Sequence, residues 1–207
     1  MEKLCLTFLP ELEPPFRTEL FSDYRSKKLA AQKNALVRRR SIVSELLLRC
    51  ALRDCGFDVS AALPIELGEQ GKPYLRGNPC YFSLSHSSSA VLCALSDHEL
   101  GADIQILSPA NDGLMRRFFS PDEREYVLSS RDTAAAFTEI WCKKESYCKA
   151  DGRGLAISLS SFSVLDKTIA ARIYHTTAGE YHLAVCLAGD APREIPIEHV
   201  ENSALLS

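Results

Sequence analysis

Apolar and polar positions alternate along this chain in two distinct rhythms. Residues 3–9, KLCLTFL, form a short apolar run of strand length, and EPP at 13–15 reads as a breaker. From about Phe21 to Asp54 the rhythm is helical. Leu36, Ile42, Val43, Leu46, Leu47 and Cys50 share one stripe, while Lys27, Lys28, Lys33, Arg38, Arg39, Arg40 and Arg49 crowd the other positions. Gly56 supplies a helix stop. A loop carrying Gly68, Gly71, Pro73, Gly77 and Pro79 then leads to YFSLSHSSSAVLCALSD (81–97), which reads as two strands around a serine-rich turn at Ser85 to Ser89.

LGADIQIL (100–107) predicts a third strand. Side chains two apart share a face, so Asp103 and Gln105 point one way while Ala102, Ile104 and Ile106 point the other. Pro109 to Gly113 reads as a loop. Ser120-Pro121-Asp122-Glu123 is a helix start, with a capping serine, proline at the first position and glutamate at the third. Helices are expected over 121–129 and from Thr133 to Ala150, with Gly152 and Gly154 as stops. Strands are expected at 162–166, 171–176 and 181–188. Strand, helix and strands thus occur twice, which predicts an α+β protein of two halves, residues 1–99 and 100–207.

Composition narrows the class. The chain has 207 residues, 46% of them apolar and 25% charged, enough for a sizeable core. Its net charge is −3, which argues against a nucleic-acid partner despite the basic helix. No apolar run approaches the ~20 residues needed to cross a bilayer, and the opening residues lack the features of a signal peptide, so a cytoplasmic protein without a membrane partner is expected. Eight cysteines, none in a C-x-x-C pair and several in apolar runs, read as reduced core thiols.

Chemistry concentrates in WCKKESYCKADGRGL (141–155). Trp141, Glu145 and Lys149 recur every four residues along one helical stripe. Such a Glu–Lys spacing is by itself an ordinary surface pair contributing ~0.2–0.5 kcal/mol. With Asp103 on a facing strand, however, two carboxylates from different elements suit Mg²⁺, which takes one or two carboxylates plus phosphates and water. Lys149 could then meet a phosphate oxygen as a point charge. A second, basic set comes from separate segments: Lys28, Arg40, Lys72 and His86, each of which could equally be plain solvated surface. The chain holds no G-x-S-x-G, Walker A, H-E-x-x-H or G-x-G-x-x-G sequence.

Five blocks in order, GKPYL (71–75), YFSLSHS (81–87), LGADIQ (100–105), RFFSPDEREY (117–126) and WCKKESYCKADGRGL (141–155), resemble the 4′-phosphopantetheinyl transferases of the larger, surfactin-synthetase-activating type. The resemblance implies a pseudo-dimer of two similar α/β halves with the active site in the cleft between them. It also implies transfer of 4′-phosphopantetheine from coenzyme A to a serine of an apo carrier protein, releasing adenosine 3′,5′-bisphosphate, with Mg²⁺ as cofactor and a monomeric enzyme. Residue by residue, it makes Asp103 and Glu145 metal ligands, Glu145 also the activator of the serine, and Lys149 the contact to the reacting phosphate. Lys144 is the second lysine of the motif, and the resemblance counts it among the coenzyme A contacts. Ser85, His86, Lys72 and Pro73 match coenzyme A contacts, with Arg40, Ser41 and more loosely Lys28 near the 3′-phosphate. Two positions depart from the family pattern. Gln105 stands where glutamate is common, which makes it a weaker or indirect metal ligand, and Ser83 stands in place of asparagine. A coenzyme A-binding module without catalysis is the alternative that Gln105 alone favours, and the intact Asp103, Glu145 and Lys149 weigh against it.

Overall fold

A computed structural model describes residues 2–10, 20–77, 79–152 and 158–206. The expected breaker at 13–15 and the expected stop at Gly154 lie outside them. The architecture is mixed α and β, in two compact units. One comprises residues 1–97 and 195–207, the other residues 98–194. Residues 195–207, which a cut at residue 99 leaves with the second half, pack in the first unit.

In the first unit, strand β1 (Glu2–Phe8) is central. It pairs antiparallel with β5 (Ala90–Ser96) and parallel with β9 (Ile197–His199), and β4 (Tyr81–Ser87) closes the far edge, giving the order β4-β5-β1-β9. The single helix expected from Phe21 to Asp54 is two: α1 (Asp23–Ala31) and α2 (Ala35–Asp54). Asn34 breaks the run. Its backbone is extended, and its side chain accepts from the Val37 N–H, which starts α2 afresh. Leu36, assigned by period to the buried stripe, lies in that first turn and is 46% exposed. Farther along, Val43, Leu47 and Ala51 of α2 pack with Cys5, Phe82, Val91 and Cys93 of the sheet. The glycine-rich loop contains a short ribbon, β2 (Ile65–Leu67) with β3 (Pro73–Leu75).

The second unit sets a three-stranded antiparallel sheet, β6 (Leu100–Ile106), β8 (Tyr181–Leu187) and β7 (Ile173–Ala178), against the long helix α5 (Thr133–Asp151). Before α5 come α3 (Asp112–Phe118), whose first turn takes in the end of the loop expected at Pro109 to Gly113, and α4 (Pro121–Ser129) with the expected capping box. Trp141 anchors α5 here, edge-on to Phe118 at 5.7 Å and stacked on Phe119 at 6.3 Å. The strand expected at 162–166 does not form. A 3₁₀ turn (Leu159–Ser161) and α6 (Lys167–Ala170) flank the segment. Its polar groups go to side chains instead: the Val164 N–H donates to Glu123, the Phe162 carbonyl accepts from Lys144, and the Ser163 hydroxyl donates to Asp122. All eight cysteines are free thiols, seven of them buried.

Candidate active site

Strand β6 presents Gly101, Asp103 and Gln105 to α5, and the contact is close because residue 101 has no side chain. A Cβ there would lie 2.1 Å from the Ala150 backbone N and 2.2 Å from the Ser146 carbonyl O. The helix backbone therefore rests directly on the strand. Cys142 pins the same seam, its thiol donating to the Asp103 and His182 carbonyls at 3.3 Å each.

This seating brings four of the expected residues together. Asp103 is 2% exposed. Its Oδ1 accepts from Lys149 Nζ at 2.6 Å and its Oδ2 accepts from Gln105 Nε2 at 2.8 Å. Lys149 also donates to the Ala102 carbonyl at 3.1 Å. The lysine thus reaches across to the strand, which an isolated surface pair with Glu145 would not require. Glu145 stands one helical turn from Lys149 on the same stripe. Burial raises its pKa above the ordinary carboxylate range, the negative charge of Asp103 raises it further, and Lys149 pulls it back.

Two carboxylates close enough to feel each other, with an amide beside them, form a set of hard oxygen donors. That set fits a divalent cation such as Mg²⁺, with substrate oxygens and water completing its shell. Among the described residues there is no group of three or more His, Cys, Asp and Glu poised to hold a metal. Gln105 donates from Nε2 to Asp103 and so steadies its carboxylate.

Lys144 is not where the resemblance put it. Its side chain is fully buried, and the ammonium donates to both Glu123 oxygens, at 2.8 and 2.7 Å, and to the Phe162 carbonyl at 2.8 Å. These bonds take all three N–H donors, so the side chain is removed from the coenzyme A contacts.

The basic set lies in the first unit. Arg40 donates from Nε (2.9 Å) and Nη2 (2.5 Å) to the Ser88 carbonyl at the β4–β5 turn. Ser41 is buried, and its hydroxyl accepts from Arg25 Nη1 at 2.7 Å, which ties α1 to α2. Lys28 stands 5.8 Å from the Tyr24 ring centroid, on a shallow concavity walled also by Lys27, Ile65 and Leu67. Lys72 and Pro73 begin the return arm of the β2–β3 ribbon, where the Lys72 carbonyl accepts from the Gly68 N–H. Ser85 and His86 belong to β4. The turn is confined to Ser88 and Ser89, with Ser88 at φ +50°. Strand alternation sends the buried Ser85 and the exposed His86 to opposite faces, so they do not converge on one ligand atom as a turn would have allowed. His86 shares its face with Phe82, which packs against α2.

Sequence reading missed Gly101 as the helix seat, Glu123 as the partner of Lys144, and a histidine pair, His175 Nε2 to His182 Nδ1 at 3.2 Å. Burial, with Lys143 nearby, lowers the His175 pKa to about 4, so the pair is neutral near pH 7. Register offers a signal for His182, which lies directly opposite Gln105.

A two-unit α+β chain whose second unit sets Asp103 of a strand beside Glu145 and Lys149 of a helix brings together side chains suited to phosphate chemistry. The comparisons with known proteins are more specific. The family model of the 4′-phosphopantetheinyl transferase superfamily matches residues 99–197. A 4′-phosphopantetheinyl transferase of Bacillus subtilis is 33% identical over 129 residues, covering 60% of this chain and 57% of the relative. The transferase gsp of Aneurinibacillus migulanus is 34% identical over 125 residues, 59% of this chain and 52% of the relative. The protein slr0495 of Synechocystis sp., which bears the same transferase name, is 30% identical over 189 residues, 86% of this chain and 74% of the relative. The chain thus matches little more than half the length of its Bacillus relatives. It belongs to the 4′-phosphopantetheinyl transferase superfamily.

Proposed function

We propose that this chain transfers the 4′-phosphopantetheine group from coenzyme A to a serine hydroxyl of an apo carrier protein, acyl or peptidyl, releasing adenosine 3′,5′-bisphosphate. The observation that carries the reading is the Asp103–Lys149–Glu145 constellation on β6 and α5.

A serine hydroxyl is a poor nucleophile at neutral pH and needs a base. Glu145 suits that task because its buried carboxylate, beside Asp103, holds a proton more tightly than a surface glutamate does. It accepts the hydroxyl proton as the serine oxygen attacks the β-phosphorus of coenzyme A and the bond to the departing nucleotide phosphate breaks. Lys149, oriented by Asp103 and the Ala102 carbonyl, places a positive charge where phosphate oxygens gather negative charge. Asp103 and Glu145 would hold Mg²⁺, and the bound ion supplies Lewis-acid stabilisation of phosphate charge. Gln105 fixes the Asp103 carboxylate.

In this reading the first half, residues 1–99, supplies coenzyme A contacts from Arg40, Lys28, Lys72, Pro73, Ser85 and His86. The second half, cut at residue 100 and without residues 195–207, which pack in the first unit, would hold the cation and carry the chemistry. Each unit lays a long helix across a sheet, mixed in the first and antiparallel in the second, which supports a pseudo-dimer; the reading takes the active site to lie in a cleft between the halves and the enzyme to act as a monomer. No described helix is long and apolar enough to cross a membrane. The proposed setting is the cytoplasm, where coenzyme A is at hand.

The test is incubation with coenzyme A, Mg²⁺ and a panel of apo carrier proteins, followed by intact mass. The expected result is a gain of one phosphopantetheinyl group on the carrier serine, lost with EDTA and in the Glu145→Ala protein. A folded Glu145→Ala protein with full activity would sink the mechanism.

A further inference from the structure

Glu123 and Lys144 are each completely buried and form an ion pair. Glu123 sits in the first turn of α4, where its Oε2 accepts from the Ser120 N–H at 2.9 Å and its Oε1 from the Val164 N–H at 2.8 Å, besides both bonds from Lys144. The Lys144 ammonium also donates to the Phe162 carbonyl and stands 4.3 Å from the Phe162 ring centroid. One pair of charges thus ties together the start of α4, the middle of α5 and residues 162–164.

Such a pair is a poor device for stability alone. Burying two charges costs solvation that apolar side chains of similar size avoid, and replacing buried pairs by such side chains is often neutral or stabilising. What a fully bonded pair supplies is a single geometry. Helix α5 is gripped on two sides. Cys142 and Ser146 lie on the seat formed by Gly101, and Phe137, Ile140 and Lys144 lie on the side toward α4 and the 162–164 segment. Glu145 follows Lys144 by 100° of helical rotation, on the ridge between those sides. A small roll of α5 about its axis would swing Glu145 away from Asp103.

We propose that the Glu123–Lys144 ion pair is a positioning device for Glu145, fixing the rotation of α5 so that its carboxylate stands beside Asp103. Neither residue touches substrate or cation. The inference rests on the transferase reading and adds to it the two residues that aim its base.

The test compares the parent protein with the double variant Glu123→Leu/Lys144→Met, which fills the same space without charge, and with Glu123→Gln, which keeps the shape and loses the charge. Thermal midpoint, kcat and KM for coenzyme A in the transfer assay, and Mn²⁺ affinity by titration calorimetry are the readouts. Expected for the double variant is a thermal midpoint near that of the parent, a kcat lower by about 100-fold, as misplacement of a catalytic group by an ångström produces, and a KM for coenzyme A changed less than about twofold. Mn²⁺ binding weakens with kcat, since the ion needs the same Asp103–Glu145 spacing. If the double variant does not fold, Glu123→Gln decides: its thermal midpoint falls, because the buried ammonium loses its charge partner, while kcat and Mn²⁺ affinity measured on the folded protein fall and the KM for coenzyme A stays within about twofold. Parental kcat and Mn²⁺ affinity in a folded variant would overturn the positioning role and leave the transferase reading intact. A parent that neither transfers the group nor binds Mn²⁺ would overturn both.

Discussion

Helices α2 and α5 solve the same packing problem in different ways. Each lies on a sheet, and each buries a charged pair: Glu45 with Arg25 for α2, Lys144 with Glu123 for α5. In α2 the network closes on itself, since Glu45 accepts from the Ser22 N–H and hydroxyl and from Arg25, while Arg25 also donates to Ser41. The side chain with ligand potential, Arg40, sits a turn away at the surface. In α5 the buried lysine directly precedes Glu145, and the candidate base stands between the two gripped sides of the helix. A cation on a helix end can recognise a phosphate loosely. A carboxylate that must face another carboxylate needs its helix held in register. The second unit should therefore tolerate far less change than the first.

The sharpest test of that contrast is removal of the acids themselves. Asp103→Ala and Glu145→Gln are each expected to lower transfer by about 10³-fold, on the scale of losing a preorganised electrostatic group. For Glu145→Gln the stability effect has the opposite sign. Because the folded-state pKa of Glu145 is raised, the stability present at acid pH is lost as the pH rises through that value. The amide cannot ionise, so without metal at pH 8 this variant should melt above the parent. Melting below it would mean that Glu145 already has a compensating partner. Next in size is Gly101→Ala. The added methyl must push α5 off β6, since its Cβ would lie within 2.6 Å of three backbone atoms of the helix. The expected loss is about 3 kcal/mol in urea unfolding, the upper range for overpacking, with transfer falling alongside.

How far the sequence foretold these parts depends on whether a residue's neighbours lie near it in the chain. The period of α5, the capping box of α4 and the shared face of Asp103 and Gln105 are local properties, and each appears as expected. Lys144 was misassigned because its partner lies 21 residues away, and a lysine on a helix carries no sign that a buried acid awaits it. The 162–166 segment reads as a strand by composition, yet Glu123, Asp122 and Lys144 satisfy its polar groups. Ser85 and His86 seemed a turn because serine-rich runs usually are one, but pairing with β5 carries the strand on to Ser87. The break at Asn34 was legible only as a capping residue inside a helical period, where the period prevailed.

Smaller effects are expected from the first unit. Arg40→Ala should raise the KM for coenzyme A about tenfold, a fair cost for one charged hydrogen-bonding group, with kcat nearly unchanged. Dephospho-coenzyme A, which lacks the 3′-phosphate, should not discriminate between parent and variant. Equal sensitivity to both compounds would move Arg40 away from that phosphate and weaken the contrast between the helices.

The smallest effect carries the most information about the departure at Gln105. The glutamine donates to Asp103, so Gln105→Glu replaces an attraction with a repulsion between neighbouring carboxylates. Without a divalent cation the variant should lose about 1 kcal/mol of stability, the scale of one hydrogen bond. A cation held by Asp103 and Glu145 would reverse that sign, because a third carboxylate then faces positive charge. Thermal midpoints of parent and variant in EDTA and in Mg²⁺ separate the cases. A midpoint below the parent in EDTA and above it in Mg²⁺ means that residue 105 faces the ion and that glutamine makes this site one charge weaker. A deficit unchanged by Mg²⁺ means that residue 105 only steadies Asp103, leaving the ion to two carboxylates and the substrate's own oxygens.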